Sequence, residues 1–161
     1  MFLSPATYHP DERWIKQQGR NLMMWLDEHQ LQARFLIHDR DTKFTTGFRR
    51  LFKSAGIRCL RTPLLAPDAN ACSEAWIGAL KRECLDHFLC FSLGHLDHIG
   101  QSYVRFFNEH RRHQGLGNRT VPAAAMGPPE ELPSNPLPAV GKIRCRRFLG
   151  GLLRHYYRAA A

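Results

Sequence analysis

The spacing of apolar residues along the chain predicts short strands that alternate with helices. Apolar side chains recur at helical spacing from Trp14 to Leu26, which predicts one amphipathic helix over about residues 10–29. The apolar run Phe35–His38 then predicts a short buried strand. Further elements are predicted over residues 48–55 (a helix stopped by Gly56), 57–60 (a strand), 70–88 (a helix) and 96–107 (a helix). This alternation is typical of an α/β domain.

The composition of the chain changes after Thr120, which predicts three parts. Residues 1–120 have the pattern of a folded core, whereas residues 121–138 contain six prolines and are expected to form an extended linker. Residues 139–161 contain six Lys and Arg residues and no Asp or Glu. Such a basic tail is either an arm that binds phosphate groups or a disordered end without a partner.

The net charge of +9 over 161 residues favours a polyanionic partner, because Lys and Arg side chains that meet phosphates release bound counterions. Solubility alone is the simpler explanation of the same charge. No apolar run approaches the ~18 residues that span a bilayer, and the start of the chain lacks the pattern of a secretory signal. The five cysteines are scattered, which indicates reduced thiols. We therefore expect a cytoplasmic, nucleoid-associated protein with no membrane partner.

Two acidic residues, Asp39 and Glu74, are candidate metal ligands for a phosphodiester transfer. Asp39 follows the apolar run at the expected end of a strand, and Glu74 lies near the start of the helix predicted over residues 70–88. Mg²⁺ prefers carboxylate oxygens, and two such ions can stabilise the attacking and leaving oxygens together. Asp41 shares the face of Asp39 if the strand continues, since alternate residues of a strand point the same way. Taken alone, an aspartate at a strand end is usually a turn former or a helix cap.

Two sequence motifs, one around Asp39 and one around Glu74, resemble motifs of a known protein family. The stretch Phe35–Phe44, FLIHDRDTKF, resembles the second-aspartate motif of the integrase core family, which comprises insertion-sequence transposases and retroviral integrases. The stretch Ala66–Cys84 resembles the glutamate motif of the same family, and Asp39 and Glu74 fall at the matching positions. The basic stretch Arg111–Arg119 resembles the segment that closes many bacterial members. The resemblance covers roughly residues 1–125.

The resemblance implies an α/β, ribonuclease H-like fold with a mixed sheet flanked by helices. It also implies a third carboxylate, an Asp on the first strand of the sheet. The acids before Asp39 all lie at the ends of the first predicted helix, so the fold is expected to be incomplete at its N-terminus. With Asp39 and Glu74 as the two remaining ligands, Mg²⁺ or Mn²⁺ would bind weakly if at all. We therefore expect little or no strand transfer from this chain alone.

The partners implied by the resemblance are DNA and, in an oligomer, a second copy of the chain or an intact transposase. DNA contacts are expected from a set of polar and basic side chains: Asn70, Lys81, Arg111, Arg112, His113 and Arg119. Two of these have simpler alternatives. Lys81 is otherwise a solvated charge, and Asn70 is otherwise a cap of the following helix.

Other interpretations of the sequence remain open. The chain is alternatively a non-catalytic module that binds DNA or pairs with an intact transposase, or the product of a decayed reading frame without a role. A zinc site is not favoured, although Cys84, His87 and Cys90 are spaced by three, because structural zinc usually needs four ligands in paired motifs. Cys84 is better interpreted as a core residue on the apolar stripe of its helix.

Overall fold

The structure, a computed structural model, describes residues 1–63, 67–127 and 141–159. Five helices and four strands lie in these ranges: α1 (Glu12–Glu28), β1 (Phe35–His38), α2 (Thr46–Ser54), β2 (Arg58–Arg61), α3 (Ala71–Glu83), α4 (Leu93–Glu109), α5 (Val121–Ala125), β3 (Ile143–Phe148) and β4 (Leu153–Arg158). The chain divides into two compact units. The first unit contains residues 2–83, and the second begins at Cys84 and includes Met1.

Helix α1 confirms the amphipathic helix predicted from the first apolar stripe. Its N-cap is Asp11, whose carboxylate accepts a hydrogen bond from the Trp14 backbone N–H at 2.7 Å. Gly19, in the middle of the helix, is buried, and a Cβ atom at this position would lie 3.0 Å from the Phe52 ring of α2. The absence of a side chain at Gly19 therefore allows α1 and α2 to pack closely.

The core of the first unit is formed by Phe48, Phe52 and Ile57. Partly buried residues of α1 and of the two strands pack against these three side chains. Helix α2 begins at its N-cap Thr45, whose hydroxyl accepts a hydrogen bond from the Phe48 N–H at 3.3 Å. It stops before Gly56, as predicted, and Gly56 has a φ of +76°, a conformation that glycine adopts without strain.

Strand β1 has the predicted bounds, but the prediction that it is buried is wrong for one of its faces. It pairs in parallel with β2, and Phe35 lies opposite Arg58. Leu36 packs against the core and His38 is buried, whereas Phe35 and Ile37 are 56% and 54% exposed. Successive side chains of a strand point to opposite faces, so a covered sheet face buries only every second residue. The apolar run could not reveal this, because an apolar residue marks either face.

Helix α3 ends at Glu83, five residues before the predicted end at Phe88. Cys84 leaves the helical conformation with a φ of −138°, and a short 3₁₀ turn over Leu85–His87 follows. Cys84 is fully buried, as the apolar stripe predicted. Cys84 is therefore a core residue although it lies beyond the end of the helix.

The second unit is built on α4, which starts at Ser92 as its N-cap and buries Ile99, Tyr103 and Val104. Its second element of regular structure is a hairpin in which β3 pairs antiparallel with β4. The hairpin packs on α4 through Phe148, whose ring centroid lies 5.6 Å from that of Phe106. The interpretation of the tail as a disordered end is therefore wrong.

The turn of the hairpin explains why these residues fold back on themselves. Leu149, Gly150 and Gly151 all have positive φ values, of 49°, 68° and 100°. Two adjacent glycines make such a turn possible, since side chains disfavour this conformation.

The predicted extended linker is corrected at its beginning. Residues Val121–Ala125 form helix α5, which is capped by the Thr120 hydroxyl and has Pro122 in its first turn, where a missing N–H costs nothing. The remainder of the predicted linker, residues 128–138, lies outside the described residues, so the three predicted parts of the chain remain a prediction.

The α/β class is confirmed, and the sheets are small. Within residues 1–63, 67–127 and 141–159 the strands form two separate two-stranded sheets, one parallel and one antiparallel, and no mixed sheet. In the same ranges no helix combines the length and the apolar character needed to cross a membrane.

Candidate functional site

Asp39 lies immediately after β1, on an exposed turn. One of its carboxylate oxygens accepts a hydrogen bond from the Asp41 backbone N–H at 3.0 Å, so the residue forms an Asx turn. Its backbone carbonyl lies 2.6 Å from Nδ1 of the buried His38. The turn and the histidine together fix the backbone at Asp39. The second carboxylate oxygen of Asp39 accepts no hydrogen bond from the described residues.

Asp41 does not share a strand face with Asp39, because β1 ends at His38 and the chain turns. The expectation that depended on a longer strand is therefore wrong. The Asp41 carboxylate accepts a hydrogen bond from the Lys43 N–H at 2.9 Å and forms an ion pair with the Lys43 ammonium at 3.0 Å. These two interactions, the backbone N–H first, lower the pKa of Asp41. Asp41 is thus engaged locally with Lys43.

An open cavity of about 340 Å³ brings the two sequence motifs together within the first unit. Asp39 and His38 line it from the end of β1, and Asn70 and Ser73 line it from the start of α3. The rest of the wall is mostly apolar and comes from the N-terminal segment, α1, β1 and α2: Phe2, Ser4, Trp14, Ile15, Gln18, Gly19, Leu22, Leu36, Ile37, Phe44, Phe48 and Phe52. Polar side chains of both motifs therefore line the same, mostly apolar cavity.

Glu74 lies in the first turn of α3, next to Ser73, and is exposed. It is not among the residues that line the cavity. A carboxylate in the first turn is stabilised by the positive end of the helix dipole. Lys81, in the last turn of the same helix, is also exposed.

Gly78, in α3, has only atoms of the Arg82 side chain as its nearest described neighbours. The Arg82 guanidinium, one turn further along α3, lies over it, and a Cβ atom on Gly78 would come 2.8 Å from this group. Gly78 thus provides space for the Arg82 side chain.

His38 is a site residue that the sequence interpretation did not select. It is 6% exposed, and its ring packs at 4.7 Å from the Phe44 ring, measured between centroids. Its Nε2 atom has no hydrogen-bond partner within the part of the chain that the structure describes. The only signal in the sequence was its position directly before Asp39.

The basic loop that follows α4 (residues 111–119, called the basic loop below) lies in the second unit. The Arg111 guanidinium lies 5.2 Å from the centroid of the Phe107 ring, a distance at which a cation is attracted to the ring face. The Arg112 guanidinium donates to the Asn118 carbonyl at 3.1 Å across the loop. The Arg111 guanidinium is therefore held against α4, and the Arg112 guanidinium is held by a contact within the loop.

His113 and Arg119 close the basic loop at its two ends. The His113 N–H donates to the Arg119 carbonyl at 2.9 Å, which forms an isolated antiparallel bridge. The Arg119 guanidinium donates to the carbonyls of Ala123, at 3.4 Å, and Gly127. The last carbonyl groups of a helix have no hydrogen-bond donor within the helix. Arg119 donates to such groups and so stabilises the end of α5. Arg119 is one of the six residues that the sequence predicted to contact DNA. In the structure its guanidinium binds carbonyl groups at the end of α5.

Comparison with known protein families covers the second motif and the basic loop. Residues 55–120 match the family model of the integrase core domain. This segment is therefore similar to the catalytic core of DDE-type integrases and transposases. The integrase core match contains Glu74, Asn70, Lys81 and the basic loop, whereas Asp39 lies before it. No curated protein matches the chain.

The match to the integrase core domain supports DNA integration or transposition as the general function. The family typically uses a divalent metal ion. In the described ranges, no group of three or more His, Cys, Asp and Glu side chains is arranged to hold a metal ion. The chemistry of Asp39 fits such an ion, because its carboxylate is exposed and is a hard oxygen donor. The described residues thus offer separate carboxylates and not a complete site.

Proposed function

We propose that this chain contains a ribonuclease H-like catalytic core region that acts on DNA in transposition or integration. Asp39 and Glu74 supply the carboxylates that hold Mg²⁺ or Mn²⁺, and the ion supplies charge stabilisation at the phosphodiester. Asn70 and Lys81 contact the DNA beside this pair, and the basic loop contacts it with Arg111, Arg112, His113 and Arg119.

One observation carries the proposal: the end of β1 and the start of α3 line the same cavity. Asp39 and Asn70, 31 positions apart in the sequence, are both part of its wall. Neither the alternation of strands and helices nor the match to residues 55–120 requires this. A carboxylate on a strand end and another on a nearby helix are what metal-dependent phosphoryl transfer needs, since each element fixes one ligand.

The charge of the chain supports DNA as the partner. The net charge is +9, and cationic side chains that meet phosphates release counterions. Arg111 is held against the Phe107 ring of α4, and Arg112 is held by a hydrogen bond within the basic loop. Arginines held in this way lose less conformational freedom when they bind a phosphate.

The test is nicking of a supercoiled plasmid with Mg²⁺ or Mn²⁺ by the chain and by its Asp39→Asn and Glu74→Gln variants. We expect weak metal-dependent nicking that both substitutions abolish. Asp27→Asn is the matched control, because Asp27 is an exposed acid at the far end of α1 and should leave nicking unchanged. Nicking that persists in the Asp39→Asn or Glu74→Gln variant contradicts the assignment of these ligands.

Metal binding gives a second readout that does not require turnover. In an NMR titration with a short duplex present, Mn²⁺ should selectively broaden the amide signals around Asp39 and Glu74. The broadening should be weaker in each single variant and unchanged in Asp27→Asn. Uniform broadening without any preference for these two regions, together with no nicking, would exclude the proposed metal site.

A second function has an observation in its favour, namely the basic loop and the basic hairpin in the second unit. In this alternative the chain binds DNA or an intact transposase without catalysis, and Asp39 has no role. DNA affinity that is unchanged by Asp39→Ala and insensitive to Mg²⁺ favours the alternative over the catalytic core.

A further inference from the structure

The β3–β4 hairpin has two faces with different surroundings. The register pairs Cys145 with Tyr156 and Arg147 with Arg154, and directly paired residues share a face of the ribbon. One face, called the inner face below, carries Phe148, Leu153 and His155, which are buried or half-buried, together with the exposed Arg144, Arg146 and Tyr157. The opposite face, called the outer face below, has six residues and all of them are exposed: Ile143, Cys145, Arg147, Arg154, Tyr156 and Arg158.

The inner face holds the hairpin on α4, so the orientation of the ribbon is fixed within the second unit. The Phe148 ring lies 5.6 Å from the Phe106 ring, and the His155 ring stacks on the His110 ring at 4.5 Å, both measured between centroids. These contacts order the inner face. The outer face is exposed at all six of its positions, so a partner can reach the whole of it.

The outer face combines fixed positive charge with an aromatic ring. Arg147 and Arg154 lie side by side on the two strands, and Arg158 lies further along β4. Residues 139–161 contain no acidic side chain that could neutralise them. The Arg154 guanidinium is also positioned by a hydrogen bond from its Nε to the Gly151 carbonyl at 3.1 Å and by one to the Tyr156 hydroxyl.

We propose that the outer face of the β3–β4 hairpin is a binding surface for duplex DNA, separate from the carboxylates of the first unit. A two-stranded ribbon fits the width of the DNA major groove. Three arginines on one face contact phosphates, which positions the ribbon without reading the sequence. We infer DNA as the partner from charge complementarity. Three arginines clustered around one tyrosine, with no acidic residue on the same face, match a polyanion and not a neutral protein surface.

The first test is the salt dependence of duplex binding by the full chain, measured by fluorescence anisotropy in EDTA. Metal is excluded, so failure of the proposed catalytic site does not affect the result. The variant Arg147→Gln with Arg154→Gln removes two charges from the outer face. The matched control, Arg144→Gln with Arg146→Gln, removes two charges from the other face of the same strands.

We expect the outer-face pair to lower the slope of log K against log salt by about 1.8, because each phosphate contact contributes about 0.9. Affinity at low salt should fall on the order of tenfold, and the control pair should change little. Arg147→Lys with Arg154→Lys should restore the slope, since it keeps both charges. Equal losses in the two glutamine pairs, or none in either, overturn the proposal.

The second test uses the unaltered protein, so it does not depend on the folding of a variant. Cys145 is an exposed thiol in the centre of the outer face, and Cys90 is an exposed thiol outside the hairpin. Alkylation by N-ethylmaleimide, followed by mass spectrometry of peptides, reports each thiol separately. Duplex DNA should slow the modification of Cys145 several-fold and leave that of Cys90 unchanged.

Cys84 provides an internal standard in the same experiment. Burial raises the pKa of its thiol to about 11, so it should stay unmodified at neutral pH as long as the protein is folded. Modification of Cys145 at the same rate with and without bound DNA overturns the proposal. A slower rate for Cys145 and Cys90 alike does so too, because it shows no preference for the outer face.

Discussion

The two compact units of this chain hold their elements together in different ways. In the first unit, α1 and α2 meet through Gly19 and the Phe52 ring, an apolar contact distinct from the hydrogen bond that the Thr45 hydroxyl donates to the Glu12 carboxylate at 2.8 Å. In the second unit, the hairpin meets α4 partly through the stacked rings of His110 and His155. The first contact depends on the fit of apolar surfaces, whereas the second also depends on the charge state of two imidazoles.

This difference determines which kind of change destabilises each unit. An apolar contact loses free energy when volume is removed or added, because interiors are close-packed. A contact between imidazoles loses free energy when protons are added, because two positive rings repel each other. Three changes should separate these two behaviours.

The largest effect is expected from Phe52→Ala, which removes a ring that is 1% exposed from the core of the first unit. Truncation of a buried phenylalanine costs about 3–5 kcal/mol of unfolding free energy. Denaturation can be followed by tryptophan fluorescence, since Trp14, Trp25 and Trp76 all lie in this unit. As a control, Phe91→Ala removes a ring that is 84% exposed and should change the free energy by less than about 0.5 kcal/mol.

A smaller effect is expected from adding a single methyl group at Gly19. A Cβ atom there would lie 3.0 Å from Phe52 and 3.2 Å from Leu51, and overpacking typically costs about 1–3 kcal/mol. Because alanine gains about 1 kcal/mol over glycine inside a helix, Gly19→Ala should destabilise by about 1–2 kcal/mol at most.

Gly94→Ala is the matched substitution in the second unit. Gly94 lies in α4, and the nearest atom to an added Cβ is 4.0 Å away. The protein should therefore become more stable by up to about 1 kcal/mol. Thermal denaturation of both variants checks the pair, and a gain in stability from Gly19→Ala would mean that α1 and α2 adjust easily.

The smallest effect is expected from pH, through the imidazole contact of the second unit. Burial, followed by the positive charges of His110, Arg112 and Arg146, lowers the pKa of His155. The folded state thus binds fewer protons than the unfolded state between the two pKa values. Stability should be full above the unfolded pKa of about 6.5 and should fall as the pH decreases below it, towards the folded pKa.

The measurement is an NMR titration of the imidazole signals together with unfolding midpoints at several pH values. His155→Phe keeps an aromatic ring in the stack and removes the proton, so it should flatten the dependence of stability on pH. A His155 pKa above 6.5 would contradict this account.

Much of the secondary structure followed from local spacing in the sequence. The stripe from Trp14 to Leu26 predicted α1, and the run Phe35–His38 gave the bounds of β1. Helical periodicity also identified α2 and α4. These predictions succeeded because each depends on side chains a few residues apart, whose arrangement the backbone period determines.

The hairpin escaped prediction for a physical reason. Strand β3 alternates arginines with other residues, so its pattern is that of a charged tail and not of a half-buried strand. Its order comes from contacts with α4, in particular Phe148 against Phe106, that lie far away in the sequence. The Gly150–Gly151 pair was the one local signal of the turn.

The sequence by itself determined the chemistry that is present: the carboxylates of Asp39 and Glu74, the basic loop and the surplus of positive charge. Only the tertiary structure decided how these groups are placed. It put Asp39 and Asn70 on one cavity, paired Asp41 with Lys43, and directed Arg119 to the end of α5. The physical reason is that side-chain chemistry is a local property, whereas burial, pairing and the exposed face of a strand depend on contacts between distant segments.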